Sequence, residues 1–271
     1  MKLNEDQLKE VNDQGYVILP YWFSNEEVNS LRKAMTTVFN EKTEANVVEK
    51  SSGEVRTAMG LHLRSKVFDE LTRHPKFFEP ASQIRGNNLY IQQTKINVKA
   101  AFTGEVWQWH YDFATHSGED GVPKPLALNL HVFLDDVTEF NGPLFFIPKS
   151  HKYGSVPSKL DIVTTSYPLW TVDQQTVKKL VKENGIVSAR GKAGTAVIFV
   201  DNLVHGSAQN MSPMDRAIFS AIIRVGAFKF ALGISGIIEA STTLKFCIPF
   251  TFKFSSTTAI SSIPILHVPH G

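Results

Sequence analysis

Cysteine is almost absent from this sequence, in which Cys247 is the only cysteine among 271 residues. An intrachain disulfide and a cysteine-based zinc site are therefore both excluded. No apolar run reaches the roughly 18 residues that a membrane-spanning helix requires. The first residues, MKLNEDQLKE, are charged rather than apolar, so no secretory signal is expected. We therefore expect a cytoplasmic protein without a membrane partner.

Clusters of like charge are also missing, and the formal net charge is only +2. A nucleic acid or an anionic membrane is not expected as the main partner, because both select clustered basic residues. Hydrophobic residues make up 42% of the chain and charged residues 20%, as in ordinary globular proteins. We expect a sizeable core and a small-molecule substrate, and the oligomeric state stays open.

Two helix starts near the amino terminus carry their own caps. Asn4 with Gln7 and Ser24 with Glu27 each match a capping box, and Gly15 can end the first helix. From residue 88 onward, Gly, Pro and Asn turns separate short β-rich runs: NLYIQQTKINVKAAF, LALNLHVFLDDV, GPLFFIPKS and GTAVIFVDNLVHG. The pattern predicts an α+β, mostly β chain with amino-terminal helices and a sandwich or barrel core.

The composition changes after residue 225. Residues 226–271 contain only four charged residues and are rich in Ser, Thr, Ile and Phe. Within LKFCIPFTFKF the apolar positions share one parity, which is typical of a strand. We expect residues 1–225 to form the functional domain and residues 226–271 an atypical low-charge tail. The tail is either an edge hairpin or, as we prefer, a poorly ordered segment.

A histidine and a carboxylate stand two residues apart in WQWHYDFATHSGEDGVP, at His110 and Asp112. On a strand end both side chains would point to one side, because strands alternate with period two. A second histidine from a distant strand would complete a facial set of two imidazoles and one carboxylate, which suits non-haem Fe(II). His205, which follows the strand GTAVIFV, is the candidate. A surface histidine beside a turn aspartate is the alternative for the pair alone.

Arg216 opens the apolar run RAIFSAIIRV, eleven residues after His205. A turn between adjacent antiparallel strands would bring this arginine back near His205. A buried guanidinium needs an anion, and its fork fits a carboxylate, although a structural salt bridge is the alternative. Another strand carries four polar side chains on one face, which requires either water or a polar cavity. These residues are Gln93, Lys95, Asn97 and Lys99.

Taken together, these motifs resemble the phytanoyl-CoA dioxygenase family of Fe(II)- and 2-oxoglutarate-dependent oxygenases, and within it the ectoine hydroxylases. The likeness lies in WHYDFATHSGEDGVP, QQTKINVK and NGPLFFIPKSHKYG and spans roughly residues 10–225. It implies a double-stranded β-helix core of the jelly-roll, cupin-like type. It also implies Fe(II) on His110, Asp112 and His205, with O₂ as cosubstrate and 2-oxoglutarate held by Arg216.

Further site residues follow from the resemblance. Lys99 would contact 2-oxoglutarate, and Gln93 would contact the primary substrate. Ser207 could donate a hydrogen bond to the cosubstrate carboxylate, or it could be a plain turn serine. Trp109 and Phe113 flank the ligands and would wall the substrate site, although core packing explains them equally well.

The implied reaction is hydroxylation of an aliphatic C–H bond in a small polar metabolite, either an amino acid or an ectoine-like compound. Where the ectoine hydroxylases have Glu and Trp after the Asp-Phe pair, this chain has Ala114 and His116. The resemblance therefore supports the type of reaction more strongly than the identity of the substrate. Two alternatives stay open: a zinc-dependent hydrolase with the same ligands, and a non-catalytic β-barrel binding protein.

We predict that a chain ending near residue 225 still binds Fe(II) and 2-oxoglutarate, because every residue implied in that chemistry precedes this point. Substrate affinity is expected to fall where carboxyl-terminal contacts contribute to it. Titration of the shortened protein with Fe(II) and then 2-oxoglutarate tests this. Unfolding of the shortened chain, or loss of iron binding, would make residues 226–271 an integral part of the domain.

Overall fold

The computed structural model of the chain describes residues 1–49, 53–164 and 168–226. In this part, two antiparallel sheets face each other and helices cover the outer sides. An α+β chain with a sandwich core was predicted and is confirmed. Both interpretations concern the tail, residues 226–271, of which 227–271 lie outside the described residues.

The larger sheet has seven strands in the order β1-β11-β6-β13-β4-β3-β2. Their bounds are β1 Tyr16–Leu19, β2 Asn46–Val48, β3 Val55–Met59, β4 Leu89–Lys99, β6 Ala127–Phe133, β11 Ala196–Val200 and β13 Arg216–Val225. The smaller sheet has six strands in the order β10-β7-β12-β5-β9-β8. Their bounds are β5 Trp107–His110, β7 Leu144–Phe146, β8 Ser158–Asp161, β9 Leu169–Val172, β10 Val187–Ala189 and β12 His205–Ser207.

Most helices lie in the amino-terminal part of the chain, as the sequence predicts. Five of them lie before β4: α1 Glu5–Gln14, α2 Asn25–Phe39, α3 Leu61–Arg64, α4 Lys66–Arg73 and α5 Pro75–Arg85. Two lie later, α6 Asp112–Asp120 and α7 Gln174–Asn184, and a 3₁₀ turn spans Ser150–Tyr153. Within the described residues, no helix is long and apolar enough to cross a membrane.

The predicted helix caps are present. Asn4 and Gln7 form a reciprocal capping box on α1, and Ser24 and Glu27 form one on α2. Gly15 ends α1 in the left-handed conformation at φ 89°, which glycine adopts without steric cost. The close contact of His151 with Gly15 leaves no room for a Cβ atom. These capping residues set where α1 and α2 begin and where α1 ends before β1.

Strand β13 is the centre of the larger sheet and pairs antiparallel with β4 on one side and β6 on the other. Side chains alternate along β13, so one face of the strand packs on the helices and the other faces the smaller sheet. Phe219 points outward, where it stacks on Phe68 of α4 at 5.3 Å and meets the edge of Phe77 of α5 at 5.8 Å. Arg216 and Ser220, of opposite parity, point into the space between the sheets. The helices therefore bury one face of β13 while its other face lines the interior.

We predict that Phe219→Ala lowers the free energy of unfolding by about 3–5 kcal/mol, because it leaves a cavity between β13 and two helices. The side chain is fully buried. Phe140→Ala is the matched control, since Phe140 is 73% exposed and should change stability by less than about 0.5 kcal/mol. Urea denaturation measures both variants. Equal stability of the two would show that the helix layer does not depend on this contact.

Candidate active site

Two histidines meet where β5 and β12 pair in the smaller sheet. His110 ends β5, His205 begins β12, and the two are register partners with ring centroids 4.1 Å apart. In each ring Nδ1 lies against a backbone carbonyl of its own segment, that of Gln108 at 2.6 Å and that of Leu203 at 2.9 Å. A carbonyl only accepts, so Nδ1 carries the proton and the Nε2 lone pair faces the cavity.

The carboxylate reaches this pair from a helix, not from a strand. β5 ends at His110, Tyr111 is the N-cap, and Asp112 is the first residue of α6. The prediction that strand alternation brings His110 and Asp112 together is therefore wrong. The two side chains are nevertheless close to each other, as predicted. Asp112 Oδ1 lies 3.7 Å from His110 Nε2, and Oδ2 lies 3.9 Å from His205 Nε2. Asn129 of β6 donates to Oδ2 at 2.8 Å and holds the carboxylate in place.

One ligand atom from each of these three residues lies within 4.8 Å of the others, a set that could hold a metal ion. Burial, reinforced by His205, lowers the pKa of His110 to about 3. Burial alone would raise the pKa of Asp112, but the His205 and His110 rings outweigh it and hold that pKa well below its usual range. Neutral imidazole and ionised carboxylate are the forms that ligate metals. Two imidazoles and one carboxylate on one side suit Fe(II) with open positions.

Arg216 comes from the opposite sheet. It begins β13, whereas His205 lies in the smaller sheet, so the predicted turn between adjacent strands is wrong. Arg216 is 2% exposed, and its Nε and Nη2 atoms have no hydrogen-bond partner in the described part of the chain. Burial, together with the nearby Arg56, lowers the pKa of this guanidinium to about 9. Buried N–H donors without acceptors fit an anion, and the guanidinium fork fits a carboxylate.

Lys99 and Ser207 lie near this guanidinium, but their donors are engaged by the protein. The Lys99 ammonium donates to the carbonyls of Glu105 and Ala208, both at 2.5 Å, and to that of Ser207 at 3.5 Å. The Ser207 hydroxyl donates to the carbonyl of residue 142 at 2.9 Å. The direct contacts with 2-oxoglutarate that were predicted for both residues would compete with these bonds. The Lys99 bonds join β4 to the end of β12, and the contacts of Lys99 and Ser207 with 2-oxoglutarate stay predictions.

Trp109 and Phe113 pack against other hydrophobic side chains. Trp109 precedes His110 on β5, so alternation turns it to the outer face, where its ring lies 6.5 Å from that of Phe145. Phe113 belongs to a second hydrophobic cluster that also contains Leu180 of α7. That these two aromatic residues wall the substrate stays a prediction, beside the core packing that the sequence leaves as its alternative. Because side chains alternate along β5, the strand places His110 and its neighbour Trp109 on opposite faces.

A row of polar side chains on the larger sheet faces the ligands. Lys95 of β4, Ser220 of β13 and His131 of β6 are direct register neighbours. Burial, reinforced by Lys95, lowers the pKa of His131 to about 3. Gln93, the predicted substrate contact, lies on the same strand face as Lys95, which confirms the predicted polar face. The sequence interpretation missed His131, although the alternating polar positions Asn129 and His131 in ALNLHVF were a signal for it.

Comparison with known proteins decides the family. The phytanoyl-CoA dioxygenase family model matches residues 11–218. The chain belongs to this family.

Named relatives of this phytanoyl-CoA dioxygenase family member cover most of the chain. The ectoine dioxygenase of Bordetella bronchiseptica is 34% identical over 227 residues, which are 79% of this chain and 73% of the relative. The L-proline trans-4-hydroxylase of Streptomyces griseoviridis is 34% identical over 214 residues, 75% of this chain and 80% of the relative. The crystal structure of EctD from S. alaskensis with 2-oxoglutarate and 5-hydroxyectoine is 31% identical and superposes with a TM-score of 0.73, covering 82% and 76% of the two chains.

Family membership confirms several predictions. The core is a double-stranded β-helix, and the chain is an Fe(II)- and 2-oxoglutarate-dependent dioxygenase that uses O₂. Its substrate is a small molecule. A zinc-dependent hydrolase and a non-catalytic binding protein are not favoured. The two departures from the ectoine hydroxylase signature, Ala114 and His116, are both buried on α6.

We predict that Asp112→Ala weakens Fe(II) binding by more than about 100-fold, since it removes a direct ligand and even outer contacts of metal ligands contribute 10- to 100-fold. Glu119→Gln is the matched control, because this carboxylate lies on the exposed side of the same helix. Anaerobic Fe(II) titration measures both, with circular dichroism to confirm folding. Iron affinity equal to that of the unaltered protein in Asp112→Ala would remove this residue from the metal site.

Proposed function

We propose that this dioxygenase hydroxylates an aliphatic C–H bond of a small cyclic amino acid or a related carboxylate-bearing metabolite. One observation carries the proposal: a compact His-Asp-His ligand set faces a buried arginine whose N–H donors lack acceptors. The first feature fits a redox-active metal and the second fits a dicarboxylate cosubstrate. A hydrolase would have no use for the second feature, which supports the oxygenase over the zinc alternative.

In this proposal His110, Asp112 and His205 hold Fe(II), and Arg216 pairs with the distal carboxylate of 2-oxoglutarate. The bound metal supplies the redox chemistry that couples decarboxylation of 2-oxoglutarate, to succinate and CO₂, with hydroxylation of the substrate. With a metal bound, the carboxylate of Asp112 would occupy a coordination position that a halide would otherwise need. Hydroxylation is therefore favoured over halogenation.

The surrounding residues keep the ligands in one geometry. The Gln108 and Leu203 carbonyls orient the two imidazole rings, and Asn129 orients the carboxylate. Such outer contacts fix the tautomer and direction of metal ligands. The Phe199 ring packs edge-on against His205 at 5.0 Å and excludes water from that side. We assign these groups to positioning the ligands rather than to contact with substrate.

The substrate class is inferred from the relatives and from the polar row. Ectoine and L-proline, which name two relatives, are both small rings with a carboxylate. Lys95 places a cation on the wall facing the ligands, and Gln93 adds an amide on the same face. A cation with a neighbouring amide suits a small zwitterion. We further propose that residues 1–225 are the catalytic unit and that it acts in the cytoplasm, where 2-oxoglutarate is a central metabolite.

Succinate release tests the proposed function directly. The protein is incubated with Fe(II), ascorbate and 2-oxoglutarate, alone and with L-proline, ectoine, other amino acids and their cyclic derivatives. We expect slow succinate formation without a primary substrate and stimulation by at least one carboxylate-bearing ring. Mass spectrometry should then find that compound heavier by one oxygen atom. No succinate under any condition would contradict the proposed function.

We predict that Arg216→Ala raises the apparent KM for 2-oxoglutarate by about 30-fold or more, because a buried charge pair contributes roughly 2–5 kcal/mol. Arg216→Lys should give an intermediate value, since lysine keeps the charge and loses the fork. Arg190→Ala is the control, as its side chain is 57% exposed. Steady-state succinate assays measure all three variants. An unchanged KM in Arg216→Ala would make this arginine structural.

A further inference from the structure

Helix α6 begins at the proposed metal ligand Asp112, and no side chain in the described part of the chain caps it. The N-cap residue, Tyr111, donates its hydroxyl to the Val156 carbonyl at 2.8 Å instead. Backbone N–H groups in the first turn of a helix have no acceptor within the helix. The start of α6 therefore needs an acceptor from another part of the fold.

That acceptor is the main chain of Asp201, the residue that follows β11. Its carbonyl accepts from the backbone N–H of Phe113, the second residue of α6, at 2.8 Å. The turn that begins at Asp201 leads directly into β12, whose first residue is His205. One residue thus contacts the helix that carries Asp112 and begins the turn that carries His205.

The side chain of Asp201 ties this carbonyl to the larger sheet. It is fully buried, and its Oδ2 accepts from the Ala127 N–H at 3.2 Å and lies 3.4 Å from Arg224 Nη2. Ala127 and Arg224 are register partners on β6 and β13. Arg224 in turn donates from Nε to Gln92 at 2.8 Å and from Nη1 to the Lys124 carbonyl at 3.0 Å. The carboxylate is therefore fixed against two paired strands.

The two oxygens of this carboxylate differ in their contacts. Oδ2 takes the bonds just described, whereas Oδ1 has no hydrogen-bond partner within the described residues. Burial raises the pKa of Asp201 to about 7, with Arg224 opposing the shift. An uncharged group with one acceptor oxygen can therefore replace the carboxylate, and asparagine is such a group.

We propose that Asp201 is a positioning residue that sets the distance between Asp112 and His205. Its carbonyl holds the start of α6, its carboxylate holds that carbonyl against β6 and β13, and the turn it begins leads to His205. This inference rests on the proposed Fe(II) site and adds what keeps two of its ligands in place. Groups that orient metal ligands contribute about 10- to 100-fold to metal affinity.

The test compares the unaltered protein with Asp201→Ala and Asp201→Asn. Alanine removes the acceptor for Ala127 and Arg224, whereas asparagine keeps it. Phe219→Ala is the control for a general loss of stability, because this ring is fully buried and packs on α4 and α5. One readout is anaerobic Fe(II) affinity. The other is hydrogen exchange of the Phe113 amide in the metal-free protein, with the β13 amides as the reference for global opening.

Asp201→Ala should weaken Fe(II) binding by at least about 10-fold. It should also speed exchange of the Phe113 amide by at least about 10-fold more than that of the β13 amides. Asp201→Asn should stay within about three-fold of the unaltered protein in both readouts. Phe219→Ala should keep its Fe(II) affinity and speed exchange of all these amides alike.

A loss of Fe(II) affinity below about 10-fold in Asp201→Ala would overturn the proposal. So would an equal loss in Asp201→Asn or in Phe219→Ala, since the effect would then not come from the acceptor oxygen. If Asp201→Ala does not fold, the unaltered protein decides. Its Phe113 amide should exchange as slowly as the β13 amides, and rapid exchange would overturn the proposal.

Failure of the proposed Fe(II) site gives a different result. The unaltered protein would then bind no Fe(II), which would overturn the site and this inference together. Tight binding by the unaltered protein that Asp201→Ala does not weaken would overturn this inference alone.

Discussion

The pairing of β13 with β4 and β6 is the constraint on which the site depends. This strand is hydrogen-bonded along most of its length on both sides, with a shift only between Ile222 and Ile223. Its even-numbered residues face the interior and its odd-numbered residues face the helices. A slip by one residue would turn Arg216 and Ser220 outward and Phe219 inward. Helix packing on Phe219 therefore also fixes where Arg216 lies.

The ligand histidines depend on a second, smaller constraint at the β5–β12 pair. His110 and His205 lie opposite each other in the antiparallel register. Each Nδ1 atom donates a hydrogen bond to a backbone carbonyl two residues earlier in its own segment. Asp112 joins them because the strand stops and a helix begins. The metal site is thus assembled from one strand pair and one helix start, all anchored to the larger sheet through Asn129.

Local signals in the sequence were sufficient for much of this architecture. The capping boxes, the β-rich runs, the His110, Asp112 and His205 set and the polar face of β4 all follow from spacing and residue type. The pairing of strands that are distant in the sequence could not be predicted from these local signals. The sequence placed Arg216 beside His205 through a turn, whereas the two residues lie in different sheets.

Residues such as His131 and Arg224 were missed for a related reason. Each lies in an apolar run whose periodicity indicates only a buried strand, and its partners come from distant elements. The buried contact between Arg224 and His116 likewise joins residues 108 positions apart. Such partnerships become visible only once the sheets are paired, which is why the chemistry could be predicted more fully than the substrate.

The central claim is that one cavity holds Fe(II) and 2-oxoglutarate together. The most direct measurement is anaerobic visible spectroscopy of the Fe(II)-loaded protein during titration with 2-oxoglutarate. The account predicts a charge-transfer absorption that saturates at about one equivalent and disappears with succinate release when O₂ is admitted. Absence of that absorption in folded, iron-loaded protein, or equal activity with Zn(II) without O₂, would contradict it.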